Sequence, residues 1–206
     1  MFGAYQKHRL GGQIFSRFEN GRRVSLILKL ADVTRIDSNL FGDEKKTMPR
    51  ARRYYERWRF LRKIGIPTVG SMRIVDQDYI AMGDMMADGS QFFGKSKALQ
   101  VGAEQKKGKR ELTKMEHIFL GLDEERLYQE LLRILAIADQ NDVSLPWDDE
   151  FDLLVHPDGT FQILIMDLTL LEKLNSIDKK YTLSERAAFL LRMVLNLKNE
   201  LLAIQS

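Results

Sequence analysis

Residues 151–168 read FDLLVHPDGTFQILIMDL, two short aliphatic runs separated by a turn sequence. Asp-Gly tolerates the positive φ angles of a tight two-residue turn, so this stretch predicts an antiparallel hairpin. Helical patterns flank it. Glu124 to Ala138 carries acids in its first turn and Leu127, Leu131, Ile134, Leu135 and Ala138 along one face. After the hairpin, Ser184 is the expected N-cap of a last helix with a stripe through Ala187, Leu190, Leu191, Val194, Leu195, Leu197, Leu201 and Leu202. Antiparallel strands and helices must therefore pack together, and the fold class is α+β.

The opening thirty residues read as three more strands. Ala4 to Leu10 is broken by Gly11 and Gly12, Gln13 to Glu19 follows, and Asn20-Gly21 turns the chain into RRVSLILKLADV. Residues 32–46 are polar loop. Thr47 and Pro49 mark a helix start, and MPRARRYYERWRFLRK places Ala51, Tyr54, Tyr55, Trp58 and Leu61 at helical spacing until Gly65 and Pro67 stop it. Two short strands, TVGSMRIV and YIAMGDM, complete a unit of five strands around one helix. Residues 94–116 hold seven Lys or Arg against three Glu and no aromatic residue, a composition that predicts a mobile basic segment.

With 206 residues, 44% of them hydrophobic, the chain can bury a core as one large domain or two small lobes. The balance of 32 basic to 29 acidic residues is too even for a polycation, so nucleic-acid binding would need a local patch. Cysteine is absent, which excludes disulfides, thiolate metal sites and cysteine nucleophiles, and His8, His117 and His156 are scattered. No apolar run nears the roughly 18 residues of a membrane span, and the N-terminus lacks a signal-peptide core. The cytoplasm is the expected location, with secretion as an effector the alternative.

Three features could carry chemistry. A two-residue Asp158-Gly159 turn would pair Asp152 with Ile165 and Glu150 with Asp167, gathering Glu150, Asp152 and Asp167 at the mouth of the hairpin. Acids so placed repel unless a cation lies between them, and an all-oxygen set suits Mg2+; the alternative is solvated acids at a sheet edge. Lys29 ends an otherwise apolar strand, where it either serves a site or snorkels to solvent. Glu56 lies mid-helix among arginines, where an ion pair with Arg52 would account for it without function.

Taken in order, these features resemble the protein kinase-like superfamily, in a compact or atypical form with a truncated second lobe. LGGQIFSRF stands where that family has its glycine-rich loop, LILK ends at the position of its strand lysine, and ERWRFLRKIGIP begins with the helix glutamate. YIAMGDMMADG resembles the gatekeeper and hinge, and ILAIADQNDVSLPWDDEFDLLVHPDGTFQILIMDLT resembles the long helix, catalytic loop and metal-binding hairpin. The resemblance covers roughly residues 4–170. It implies an N-lobe over 1–86, a reduced helical C-lobe over 87–206, and transfer of the γ-phosphoryl group of ATP with Mg2+. Lys29 would hold the α and β phosphates, with Gly11, Gly12, Met82, Gly83 and Met85 around the nucleotide. Glu56 would orient Lys29, and Asp152 and Asp167 would hold Mg2+.

The glycine loop is depleted, and Trp147 occupies the position of the family's catalytic base, leaving Asp148 or Asp149 as candidate bases. These departures support the rival expectation of a pseudokinase acting as a protein-binding module. A third expectation is RNA binding through Arg50, Arg52, Arg53, Arg57, Arg59, Arg62 and Lys63, although the interleaved aromatics fall at core spacing.

Overall fold

The computed structural model describes residues 2–7, 13–19, 22–29, 49–77, 79–83, 85–145, 151–165, 168, 171–174 and 178–205, the first three stretches as backbone. The fold is mixed α+β. Strands β1 (Phe2–Lys7), β2 (Gln13–Glu19), β3 (Arg22–Lys29), β4 (Met72–Asp76) and β5 (Tyr79–Gly83) form one antiparallel sheet in the order β1-β2-β3-β5-β4. Glu19 pairs with Arg22, so only Asn20 and Gly21 connect β2 to β3. Inner strand β5 buries Ile80, Ala81 and Met82 in succession, as a strand covered on both faces does.

Helix α1 (Arg50–Ile64) joins β3 to β4 in the chain. Pro49 is its N-cap and no side chain caps it; the expected cap, Thr47, lies outside the described residues. Ala51, Tyr54, Trp58 and Leu61 are buried, as their spacing requires, and Trp58 Nε1 donates to the Val69 carbonyl at 2.9 Å. Gly65 adopts φ 86° and ends the helix in a left-handed turn. Expected strand TVGSMRIV begins only at Met72, because Thr68 bridges to Ile165 and the Ile165 amide donates to the Pro67 carbonyl at 3.1 Å.

A second sheet, β6-β8-β9, combines β6 (Gln91–Phe93), which the sequence pattern did not reveal, with β8 (Phe151–Val155) and β9 (Phe161–Ile165). The register differs from expectation by one residue. Phe151 pairs with Ile165 and Asp152 with Leu164, because Pro157, Asp158 and Gly159 form a three-residue loop closed by the His156 amide on the Thr160 carbonyl. Gly159 takes the left-handed position at φ 85°, as such loops need. The shift puts Ile165 on the opposite face from Asp152. A two-stranded ladder pairs β7 (Val143–Ser144) with β10 (Glu172–Lys173).

Residues 94–116 are a correction too. Instead of a mobile segment they contribute α2 (Lys95–Gln105) and the start of α3 (Lys114–Leu120). Glu116, fully buried, takes two hydrogen bonds from Arg110 at 2.8 and 2.6 Å, the Lys97 ammonium at 2.8 Å and the Thr113 amide at 2.7 Å. Burial alone would raise the Glu116 carboxyl, but the Arg110 and Lys97 hydrogen bonds outweigh it and hold the group well below the usual carboxylate range. Phe93 and Phe119 stack at 4.3 Å, both buried, each contributing roughly 1.5–3 kcal/mol by leaving water.

Helices α4 (Glu124–Gln140) and α5 (Leu183–Gln205) run antiparallel. Arg186 binds Asp139 at one end of the pair, and Lys198 reaches the Leu122 carbonyl and Glu124 at the other. The cap of α5 is Thr182 rather than Ser184: its hydroxyl accepts from the Glu185 amide at 3.2 Å, and Glu185 accepts from the Thr182 amide at 2.7 Å.

Candidate functional site

Two strand pairs bound the acid-rich stretches. Ser144 is paired with Glu172 and Phe151 with Ile165, so residues 145–150 and 166–171 each run between the same two ladders. Asp148, Asp149 and Glu150 belong to the first stretch and Asp167 to the second; all four lie outside the described residues. The flanking side chains Leu145, Leu168 and Leu171 are buried and fasten both stretches to the core.

Helix α1 is tied to the same place. The Arg57 guanidinium, 1% exposed, donates through Nη1 to the Leu168 carbonyl at 2.8 Å, so the residue after Glu56 is bonded to the residue after Asp167. The sequence places Arg57 on the expected RNA-binding face of α1, and its burial takes it off that face. The signal was its place in the stripe, between Tyr54 and Leu61, where a cation in an apolar row needs a buried acceptor.

Glu56 itself engages its own helix. Arg52 Nη2 lies 2.8 Å from its Oε1, near enough for an ion pair although off hydrogen-bond alignment, and Arg59 Nη1 donates to Oε2 at 3.4 Å. Lys29 pairs through its backbone with Gln13 of β2 and Tyr79 of β5, which makes β3 an inner strand. Met82 pairs with Leu26 and Met72 and is buried, Gly83 ends β5, and partly buried Met85 packs on the core. Gly11 and Gly12 lie outside the described residues.

Asp152 is the described acid with the most unusual surroundings. It shares its face of the hairpin with Leu154, Gln162 and Leu164, and both leucines are buried. Burial pushes its carboxyl up to about 6, and no described residue offers it a hydrogen bond or an ion pair. Gly94 makes the niche: a Cβ there would overlap Asp152 Oδ1 and lie 3.1 Å from its Cγ. A buried carboxylate lacking a cation is the donor chemistry that a hard divalent ion accepts. Among the described residues, however, no three His, Asp or Glu side chains converge as a metal site.

Ser90 Oγ lies 2.7 Å from His156 Nδ1, a contact absent from the sequence reading. Asp88 Oδ2 approaches the same nitrogen at 3.6 Å, and Ser90 is 2% exposed. A nucleophilic triad uses opposite ring nitrogens and an accessible hydroxyl, so this contact clasps β6 to the hairpin loop instead. On α1, Tyr54 and Trp58 are buried and cannot stack on bases, although Arg52, Arg59, Arg62 and Lys63 remain exposed.

No family model matches the chain, and no curated protein matches it. Among the described residues no helix is long and apolar enough to cross a membrane.

Proposed function

We propose that the chain is a kinase-like phosphotransferase that binds ATP and Mg2+ and transfers the γ-phosphoryl group to a protein or small-molecule hydroxyl. Residues 1–86 form its nucleotide lobe and residues 87–206 a reduced helical lobe. The observation that carries this reading is the convergence on residue 168: α1, with Glu56, is bonded through Arg57 to the carbonyl that follows Asp167. The five-stranded sheet, with Lys29 on an inner strand and one helix before β4, is the arrangement the resemblance implies.

In this reading Lys29 neutralises the α and β phosphates and Glu56 orients it, while Gly11, Gly12, Met82, Gly83 and Met85 surround the nucleotide. Asp152 and Asp167 hold Mg2+, which when bound offsets charge on the phosphoryl oxygens. Asp152 suits that role as a buried carboxylate without a cationic partner. Asp148 or Asp149 accepts the hydroxyl proton. Phosphoryl transfer depends largely on positioning and electrostatics, so an irregular base slows the reaction without abolishing it.

One observation favours a second reading, a pseudokinase that serves as a binding module. Glu56 is held by Arg52 and Arg59, which compete with Lys29 for its carboxylate. Thermal shift with ATP and Mg2+ on the wild type and on Asp167→Ala, followed by a γ-phosphate transfer assay that includes autophosphorylation, separates the two. Stabilisation with transfer supports the enzyme, and stabilisation without transfer supports the binding module. Absence of any shift overturns both.

A further inference from the structure

A chamber of about 390 Å³ lies between one face of the β6-β8-β9 sheet and helices α2, α4 and α5. Phe93, Leu153 and Ile163, which stand side by side in the register of the three strands, line its sheet wall. Leu127 and Leu131 of α4 and Leu190 of α5 line the helical walls, and all six side chains are buried. Asp152 and Gly94 border the chamber, but alternation along β8 sends the Asp152 side chain to the other face of the sheet from Leu153. The remaining polar side chains are Lys95 on α2 and Asn196 and Glu200 on α5. Lys95 and Asn196 are exposed and Glu200 is half-buried, so the three form the mouth of the chamber and not its floor.

Water in such a space finds hydrogen-bond partners only at the mouth, so an apolar molecule that displaces it from the walls is favoured. The size and the mainly apolar lining are those of a site for a small organic ligand. The mouth decides what head group that ligand carries. One cation, one anion and one neutral amide leave it without net charge, so a charged head attracted by Lys95 or Glu200 is repelled by the other. We propose that the chamber binds a small uncharged amphiphile, a hydrocarbon chain or ring ending in a hydroxyl. The hydrocarbon lies between the sheet wall and α4, and the hydroxyl sits among Lys95, Asn196 and Glu200. The proposal uses no residue that the phosphotransferase reading assigns.

Titration of the full chain with 1-butanol, 1-hexanol, hexylamine and hexanoate, in EDTA and without nucleotide, tests this by methyl NMR. Hexanol should bind saturably and shift Leu127, Leu131 and Leu190 while leaving the exposed Leu99 and Leu202 in place. Its affinity should exceed that of butanol by about fourfold for each added CH2. Hexylamine and hexanoate should bind no more tightly than hexanol. Ala98→Phe, which sets a ring in the chamber from α2, should weaken hexanol at least about tenfold. An advantage of about tenfold for the amine or the acid would overturn the uncharged head. Shifts shared equally by Leu99 and Leu202, or no saturable binding to a wild type whose circular dichroism shows it folded, would overturn the site whether or not Ala98→Phe folds. So would hexanol affinity unchanged in a folded Ala98→Phe. Because nucleotide and metal are absent, failure here leaves the phosphotransferase reading to its own test.

Discussion

Gly94, the N-cap of α2 after β6, and Asp152 of β8 are nearly sixty residues apart in sequence, and the Asp152 carboxylate occupies the space that a side chain on Gly94 would take. The acid can be buried there only because residue 94 has no Cβ. Gly94→Ala must therefore displace the carboxylate and should cost about 1–3 kcal/mol, the usual range for overpacking. Gly102, inside α2, has open space where its Cβ would go, so Gly102→Ala should stabilise by about 0.5–1 kcal/mol. Urea denaturation of both variants checks the contrast; a Gly94→Ala variant as stable as the wild type, or no difference between the two variants, would contradict the niche.

The pH dependence of Asp152 follows from its burial. Its folded-state affinity for a proton, near pH 6, exceeds the ordinary 3.8, so the native chain binds more protons than the unfolded chain between those values. Stability contributed by this group is complete below about pH 4 and declines as pH rises to about 6. Asp152→Asn lacks that decline. Its stability relative to wild type, measured in EDTA, should rise across this window by on the order of 2 kcal/mol. A difference independent of pH would show that the carboxylate is solvated.

Glu116 behaves in the opposite sense. Its folded carboxyl is held below the ordinary 4.5, so its stabilisation is present above about pH 4.5 and lost as pH falls. Glu116→Gln leaves Arg110 and Lys97 without their shared partner and should cost about 3 kcal/mol, as removal of one member of a buried ion pair does. Denaturation at neutral pH and at pH 3 checks both statements: the cost should shrink in acid.

How far the sequence disclosed this arrangement depended on whether a single short-range pattern carried the information. Helix α4 follows directly from its leucine spacing, and the β2–β3 hairpin from Asn20-Gly21. The β8–β9 register did not, because Asp-Gly serves two-residue and three-residue loops alike and one residue of difference reverses every face. Helices α2 and α3 were hidden by their lysines. What holds them is one buried acid, Glu116, and a few apolar contacts such as Val101 and Phe119, whose partners are distant in sequence. For the candidate site, Asp152 was legible as an acid at the hairpin, but its niche depends on Gly94 and no local pattern links the two.

Arg57 supplies a test of the tie between α1 and the stretch containing Asp167. Arg57→Met keeps an apolar stem in the helix stripe but removes the donor to the Leu168 carbonyl, and should cost about 1.5–3 kcal/mol, as hydrogen bonds to charged groups do. Hydrogen exchange should quicken at Leu168 and Leu171 before it quickens in α4. Uniform loss of protection would instead mean that Arg57 acts only through global stability.

The most direct measurement for the proposed function is calorimetric titration of ATP into the wild type, Lys29→Met, Asp167→Ala and the exposed control Glu130→Gln, each with and without Mg2+. The proposal requires saturable binding that depends on Mg2+, weakened at least about tenfold by Lys29→Met and Asp167→Ala and unchanged by Glu130→Gln. ATP binding that ignores Mg2+ and both site variants, or no binding by the folded wild type, would contradict it.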